Sequence, residues 1–173
     1  IWQGVAYGKH LKVEQAENEI IFYDCTEDDF NNIWSRYFDF DCDYRKIISS
    51  YDDKYLQLAV SEYNGIRILR QEPWEALCSF IISQNNNIPR IRKIIREISS
   101  AYGVNLALQN GLKSCPMSKN CEKPSEEKCA QCGRCFSFPK PSDILKTPEL
   151  LLPSKPGFRY KYILDAAKKI ESG

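Results

Sequence analysis

The stretch that decides the fold is SFIISQNNNIPRIRKIIREI, residues 79–98. Its first residues continue a dense apolar pattern that starts at Trp74, and this pattern predicts a helix that is central and buried on most of its circumference. Three asparagines interrupt the pattern. Pro89, followed by isoleucines at helical spacing, then predicts a second helix. The stretch therefore predicts two successive helices separated by a polar turn, of which the first is central and buried.

The asparagine triplet has more polar groups than a turn between helices needs. Asn87 is a good N-cap for the second helix, but capping does not explain Asn85 or Asn86. An amide can read or replace a base edge, and a helix N-terminus attracts phosphate. The same helix start holds four cations, which strengthen that attraction: Arg90, Arg92, Lys93 and Arg96. The stretch indicates either a nucleic-acid contact or a plain polar turn before an amphipathic surface helix.

The charge of the chain is unevenly distributed. The net charge is +1, but residues 1–60 hold 6 Lys+Arg against 12 Asp+Glu, whereas residues 61–173 hold 18 against 11. A basic second part is compatible with a nucleic-acid face, although uneven solvated charge gives the same counts. No run of 18 apolar residues occurs, so the sequence predicts no membrane span.

Outside this stretch, the patterns indicate an α+β protein. Residues 1–24 alternate apolar and polar positions, which predicts two or three antiparallel strands. Thr26 followed by Asp29 predicts a helix N-cap. From Trp74 onward the chain is predicted to be helical, apart from a cysteine-rich insertion at residues 113–136, and it ends in a helix from about Tyr160.

The insertion contains five of the chain's eight cysteines, with the spacing C-x5-C-x7-C-x2-C-x2-C. Paired C-x2-C steps place thiolates on one metal ion, and a loop with so few apolar residues needs such a bond to become ordered. Zn²⁺ is therefore predicted, with four ligands drawn from the five. An iron–sulfur cluster is the second candidate, although Pro139 stands where its fourth cysteine usually follows. Reduced thiols or disulfides are the remaining alternatives. The candidate ligands are Cys115, Cys121, Cys129, Cys132 and Cys135.

The segment LRQEPWEALCSFIISQNNNIPRIRKIIREISSAYG, residues 69–103, closely resembles the 8-oxoguanine DNA glycosylase family of the helix-hairpin-helix glycosylase superfamily. Three further segments extend the resemblance: W-x-G-V at residues 2–5, SRYFDFDCDY at 35–44 and KPGFRYKYI at 155–163. The asparagine triplet is the part of the resemblance that is specific to this family. Related alkylated-base glycosylases share the PWEAL helix but usually have glutamines there.

This resemblance implies a two-domain organisation. Residues 1–72 would be the later part of an N-terminal domain with a truncated antiparallel sheet like that of the TATA-binding protein. Residues 73–173 would be the first half of a mostly α-helical glycosylase domain, incomplete at its C-terminus and carrying the cysteine-rich insertion, which typical members lack.

The resemblance also implies a function. Members of this family bend duplex DNA and flip 8-oxoguanine out of the stack opposite cytosine, as chemistry on a base requires. By resemblance, Asn85 would enter the vacated space and Arg90 would read the orphaned cytosine. Phe158 would insert as a wedge beside that cytosine, and Arg159 would also contact it.

The chemistry of this family requires a lysine nucleophile, which forms a Schiff base, and a supporting aspartate. Both lie in or after a glycine-rich hairpin that residues 1–173 lack. Lys168 and Lys169 match no motif position, so the resemblance implies no catalytic residue in this chain. We expect these 173 residues alone not to excise a base. The complete protein would be an N-glycosylase with AP-lyase activity whose chemistry needs no cofactor.

The expected partner is double-stranded DNA with a damaged guanine, bound by a monomer that has no membrane association. The expected location is the bacterial cytoplasm or, in a eukaryote, the nucleus. One alternative is a hydrolytic alkylated-base glycosylase that uses an aspartate without the lysine. Another is a non-catalytic, metal-stapled DNA-binding module, which predicts salt-sensitive binding without preference for the lesion.

Overall fold

The structure is a computed structural model. It describes residues 1–17, 19–63, 65–110, 125, 127, 129 and 132–173. The described chain divides into two units, one formed by Ile1–Asp24 with Glu72–Gly173 and the other by Cys25–Gln71. The functional domain limits expected at residues 72 and 73 remain a prediction.

An antiparallel sheet of three strands opens the first unit. Its strands are β1 (Trp2–Ala6), β2 (Lys9–Gln15) and β3 (Ile20–Tyr23), in the order β1-β2-β3. Leu11 and Val13 are the buried residues of β2, and their spacing of two places both side chains on one face. The prediction of two or three antiparallel strands is therefore confirmed.

The second unit consists of short helices. These are α1 (Glu27–Asp29), a π-helical segment (Phe30–Trp34), α2 (Ser35–Tyr37), α3 (Tyr44–Ser49) and α4 (Lys54–Glu62). The Thr26 hydroxyl accepts the Asp29 N–H at 3.1 Å, which confirms the predicted N-cap. Asp39 fixes the connector, since its carboxylate accepts the Arg70 Nε–H at 2.6 Å and the Tyr44 hydroxyl at 2.9 Å.

The first unit continues with longer helices. These are α5 (Pro73–Ser83), α6 (Ile88–Tyr102), α7 (Leu106–Gln109), α8 (Pro141–Lys146), a 3-10 helix (Pro148–Ser154) and α9 (Arg159–Ser172). None of the described helices has the length and apolar character needed to cross a membrane. A sheet followed by helices confirms the predicted α+β class.

The core of the helical part comes from residues that recur every four positions. On α5 these are Trp74, Cys78 and Ile82, each at most 5% exposed. They pack with a shared apolar cluster from the other helices: Ile94, Ile98, Ile144, Leu151, Ile163 and Ala167. The prediction that α5 is buried on most of its circumference is wrong. Leu77 and Phe80 are 39% and 66% exposed, because the neighbouring helices cover one face of α5.

The chain leaves the helical core after α6 and returns to it at almost the same point. The Ser137 N–H donates to the Val104 carbonyl at 3.0 Å, and the Leu106 N–H donates to the Cys135 carbonyl at 2.8 Å. Gly103 ends α6 beside this pairing. A Cβ at Gly103 would collide with the Ser137 carbonyl oxygen and lie 2.6 Å from the Ser99 carbonyl oxygen. This close backbone approach requires glycine.

The first turn of α5 contains two carboxylates. The Glu72 side chain caps α5 by accepting the Glu75 N–H at 3.0 Å. Desolvation by burial, with a smaller contribution from the charge of Glu72, raises the pKa of Glu75 to about 7. Since the ordinary value is 4.5, folding favours the protonated form of Glu75.

We predict that Glu75→Gln stabilises the protein at pH 8 and has little effect at pH 4.5. The stability given by protonated Glu75 is present below its unfolded pKa and is lost as the pH rises through 7. The expected gain at pH 8 is about 1–2 kcal/mol in the free energy of unfolding, measured by urea denaturation. Glu171→Gln, at an exposed position, is the control. An equal gain at both pH values would contradict the assignment.

We also predict that Gly103→Ala lowers the free energy of unfolding by about 2–4 kcal/mol, because the backbone of residue 137 would have to move. Gly4→Ala is the matched control, since nothing lies within 4 Å of a Cβ at that position. Thermal denaturation of the two variants side by side measures the difference. Similar stability of both would show that the close approach at Gly103 is relaxed easily.

Candidate nucleic-acid interface

The turn between α5 and α6 is held by two of its three asparagines. The Asn86 amide nitrogen donates to the Ile82 carbonyl at 3.0 Å, which satisfies the C-terminus of α5. The Asn87 side chain accepts the Arg90 N–H at 3.0 Å and caps α6, as predicted. Asn86, which sequence reasoning left unexplained, is therefore structural. The sequence feature that could have indicated this role is the position of Asn86 just past the end of a helix.

Asn85 differs from the other two asparagines. Its side chain is exposed and makes no hydrogen bond to any described residue. Its backbone is left-handed, with φ of 48°, a conformation that asparagine tolerates better than most residues. Asn85 therefore presents an unengaged amide at the tip of the turn.

A second loop, residues 155–158, leads from the 3-10 helix into α9. Lys155 and Gly157 have positive φ angles of 51° and 65°. The tight path that results leaves the Phe158 side chain 55% exposed. Its ring meets that of Tyr162 edge to face, with centroids 6.3 Å apart. Phe158 is thus an exposed aromatic residue on a constrained loop.

Arg159 joins the two loops, although 74 residues separate it from Asn85. Its Nη2 donates to the Asn85 carbonyl at 2.9 Å and also to the Gln84 carbonyl, which accepts Nε–H at 3.0 Å. Its Nη1 donates to the Pro156 carbonyl at 3.2 Å. The guanidinium lies 4.5 Å from the centre of the Phe158 ring, and the residue is 4% exposed.

Arg90 lies in the first turn of α6, beside these loops. Its side chain is exposed, and its Nη2 lies 3.5 Å from the Lys155 carbonyl oxygen. The structure therefore brings Asn85, Arg90 and Phe158 together on one surface, with Arg159 buried directly beneath them. Their contacts with DNA remain predictions.

The electrostatics of this surface suit a polyanion. Three further cations on α6 have exposed side chains: Arg92, Lys93 and Arg96. Lys93 is partly neutralised by Glu97, with Nζ 3.8 Å from the carboxylate. The N-terminus of α6 adds its positive dipole end next to Asn85.

An apolar groove of about 460 Å³ lies between α5 and α9 and reaches Gln84 and Phe158. Phe80 and Tyr162, 66% and 49% exposed, contribute aromatic rings to it. Sequence reasoning placed Phe80 on a buried helix and gave Tyr162 no role. The sequence feature that could have indicated an exposed Phe80 was the apolar circumference of α5, which exceeded what one buried face needs.

The cysteine-rich insertion is only partly described. Cys115 and Cys121 lie outside the described residues. Cys129 and Cys135 are each 2% exposed and pack in one cluster, and Cys132 is half-buried. Gly133, with φ of 61°, donates its N–H to the Cys129 carbonyl at 2.7 Å. Among the described residues, no three His, Cys, Asp or Glu side chains are grouped closely enough to hold a metal ion.

Residues 1–77 match the model of the 8-oxoguanine DNA glycosylase N-terminal domain. An N-glycosylase/DNA lyase of Saccharomyces cerevisiae is 29% identical over 98% of this chain and 42% of its own length. The chain thus spans less than half of that curated relative.

Solved structures extend the similarity to the whole chain. MBOgg1 in complex with a low-affinity DNA ligand is 35% identical, with a TM-score of 0.77 over 99% of this chain. The 8-oxoguanine glycosylase/lyase of Clostridium acetobutylicum, in complex with double-stranded DNA containing cytosine opposite 8-oxoguanine, is 32% identical, with a TM-score of 0.76 over the same share. This chain covers 52% of each. With the sheet, the helices and the asparagine turn in place, the chain belongs to the 8-oxoguanine DNA glycosylase family.

Proposed function

We propose that this chain is the DNA-recognising part of a base-excision repair enzyme, an N-glycosylase/AP lyase that removes 8-oxoguanine opposite cytosine. The observation that carries the proposal is that Asn85 and Phe158 are exposed on two loops, and that Arg159 holds both loops in place. The names of the relatives support the glycosylase/lyase activity over the alkylated-base alternative.

Each residue of the surface has a physical task in this proposal. The cations of α6 and its N-terminus attract the phosphate backbone. Phe158 inserts into a base step and offsets the free energy lost on unstacking. Asn85 fills the space left by the flipped nucleotide, where its amide replaces lost hydrogen bonds. Arg90, whose planar fork of donors is exposed, reads the base opposite the lesion.

The covalent chemistry is proposed for the complete protein. Lys168 and Lys169 remain poor candidates for the nucleophile. Lys169 pairs with Asp165 at 2.8 Å on the exposed side of α9, and Lys168 is likewise exposed. A nucleophilic lysine needs a desolvated site that lowers its pKa. The lysine and aspartate of the family's glycine-rich hairpin supply this chemistry in our proposal.

The proposed substrate and the proposed surface also bear on the cellular location and the oligomeric state of the protein. Genomic DNA is an intracellular substrate, so we propose that the enzyme acts in the cytoplasm of a bacterium or in a eukaryotic nucleus. A single copy of the surface presents both the wedge and the filling residue, which supports action as a monomer.

We further propose that the insertion binds Zn²⁺ through cysteine thiolates. The hydrogen bond from the Gly133 N–H to the Cys129 carbonyl supports this, since it brings the backbone of Cys129 close to the residue that follows Cys132. Cys135 follows three residues after Cys132. Cys115 and Cys121, outside the described residues, are the remaining candidate ligands. A coordinated metal would offset the lack of apolar residues in the insertion.

We predict that the chain binds a duplex with a stable abasic-site analogue opposite cytosine more tightly than the intact duplex. Phe158→Ala should weaken that preference about tenfold, because a stacking aromatic contributes about 1–3 kcal/mol. Fluorescence anisotropy at fixed salt measures both affinities. Tyr55→Ala, at a 71% exposed aromatic residue outside the surface, is the matched control. Equal binding of wild type to both duplexes would instead favour the non-catalytic DNA-binding module.

We predict one zinc ion per purified chain, measured by mass spectrometry of the metal content. Cys132→Ser should lower the zinc content and the melting temperature, because it removes one ligand of a structural site. Cys25→Ser, outside the insertion, should change neither. Iron with visible absorption would favour the cluster, and a metal-free wild-type chain that is equally stable with chelator would contradict both.

A further inference from the structure

We propose that the cysteine-rich insertion extends the DNA-binding surface along α6, where Arg134 and Arg96 bind backbone phosphates of duplex DNA to one side of the lesion. This inference rests on the proposed function and goes beyond it. It gives the insertion a part in DNA binding that is separate from the proposed metal.

The described end of the insertion lies along one side of α6. At the C-terminus of the helix, the backbone of Ser137 pairs with Val104 and packs against Gly103. Two turns earlier, a Cβ at Gly133 would lie 3.4 Å from the Arg96 carbonyl oxygen and 3.5 Å from the Arg96 Cβ. Positions 96 and 103 are seven residues apart and therefore share one side of the helix. The insertion thus reaches back along α6 toward the end that carries the asparagine turn.

The residues on both sides of Arg134 are fixed. Gly133 is buried against Arg96, and its N–H donates to the Cys129 carbonyl at 2.7 Å. Cys135 is also buried, and its carbonyl accepts the Leu106 N–H at 2.8 Å. Arg134 itself is exposed. An exposed cation is therefore held between two anchored neighbours, directly beside the backbone of α6.

Arg134 prolongs a row of cations on α6. Arg92 and Arg96 are exposed and lie four residues apart, on the same face of the helix. The Arg96 Nε–H donates to the Arg92 carbonyl at 3.2 Å, so the Arg96 side chain runs back toward the N-terminus of α6. The row consists of Arg92, Arg96 and Arg134, and it leads from the insertion to the first turn of α6.

The length and charge of this row suit a phosphate backbone. The helix rises about 12 Å from Arg96 to Ile88. One DNA strand carries a phosphate about every 3.4 Å along its axis, so the row can follow about three or four phosphates beyond the helix N-terminus. Residues 113–136 hold 5 Lys+Arg against 3 Asp+Glu, a net charge of +2, which adds to the same attraction. Contacts of this kind depend on charge and carry no base preference.

The test is the salt dependence of binding to an undamaged duplex, measured by fluorescence anisotropy. Each phosphate contact contributes about 0.9 to the slope of log K against log salt concentration. We expect Arg134→Gln and Arg96→Gln each to lower the slope by about that amount, and Arg134→Lys, which keeps the charge, to retain the wild-type slope. Lys146→Gln, which removes an exposed cation of α8 outside the row, is the control and should leave the slope unchanged.

The second readout is ethylation interference, which identifies the phosphates whose neutralisation weakens binding. A duplex with an abasic-site analogue opposite cytosine fixes the register of the complex. We expect Arg134→Gln to lose interference at one or two phosphates on one side of the lesion, and to retain it at the phosphates nearest the lesion. Arg96→Gln should lose interference at the same phosphates or at their neighbours.

An unchanged salt slope and interference pattern in Arg134→Gln would overturn the proposal and leave the basic end of the insertion to another partner, such as an acidic protein surface. Equal loss of slope in Arg134→Lys and Arg134→Gln would also overturn it, because the arginine would then act through its hydrogen-bond geometry and not through its charge. Arg96→Gln alters a different, exposed side chain, so it decides the question even where changes at Arg134 disturb the insertion. A wild-type chain without preference for the abasic duplex would contradict the proposed function, whereas the slopes on undamaged DNA would still test the row.

Discussion

The geometry of the interface depends on the burial of one positive charge. Arg159 is 4% exposed, and within the described chain its guanidinium is satisfied by carbonyl oxygens and an aromatic face. Burial of a charge is costly unless its hydrogen bonds are made, so these carbonyls must stay in place. The two loops that provide them are consequently fixed to each other. The same requirement that keeps the arginine satisfied therefore shapes the proposed DNA-binding surface.

Several features around this arginine are unfavourable for stability alone. Phe80 and Phe158 leave large apolar rings exposed, and Asn85 holds a left-handed backbone without using its amide. When several residues that are unfavourable for stability cluster at one place, they indicate a binding site. The apolar groove between α5 and α9 adjoins the same place. An exposed patch of this kind, next to a row of cations, is a surface shaped for a partner and not for solvent.

Local patterns in the sequence were sufficient to predict much of the secondary structure. The Asn87 cap, the strands and the start of the last helix follow from capping and periodicity, which depend on neighbouring residues only. The role of Arg159 could not be predicted in this way, because its acceptors lie 74 residues away along the chain. Likewise, the apolar pattern of α5 contained no information about which face its neighbours would cover. Phe80 was therefore assigned to the core, where the structure leaves it exposed.

The cysteine-rich insertion is attached to the helical part at two neighbouring points of the backbone. The chain departs at Val104 and returns at Ser137, and backbone hydrogen bonds pair the two points. Gly103 allows this pairing, since any side chain there would meet the Ser137 carbonyl. Because entry and exit coincide, the length and content of the insertion place no demand on the spacing of α6 and α8. The hydrogen bonds that fix the loops carrying Asn85 and Phe158 join residues outside the insertion, from Gln84, Asn85 and Pro156 to Arg159.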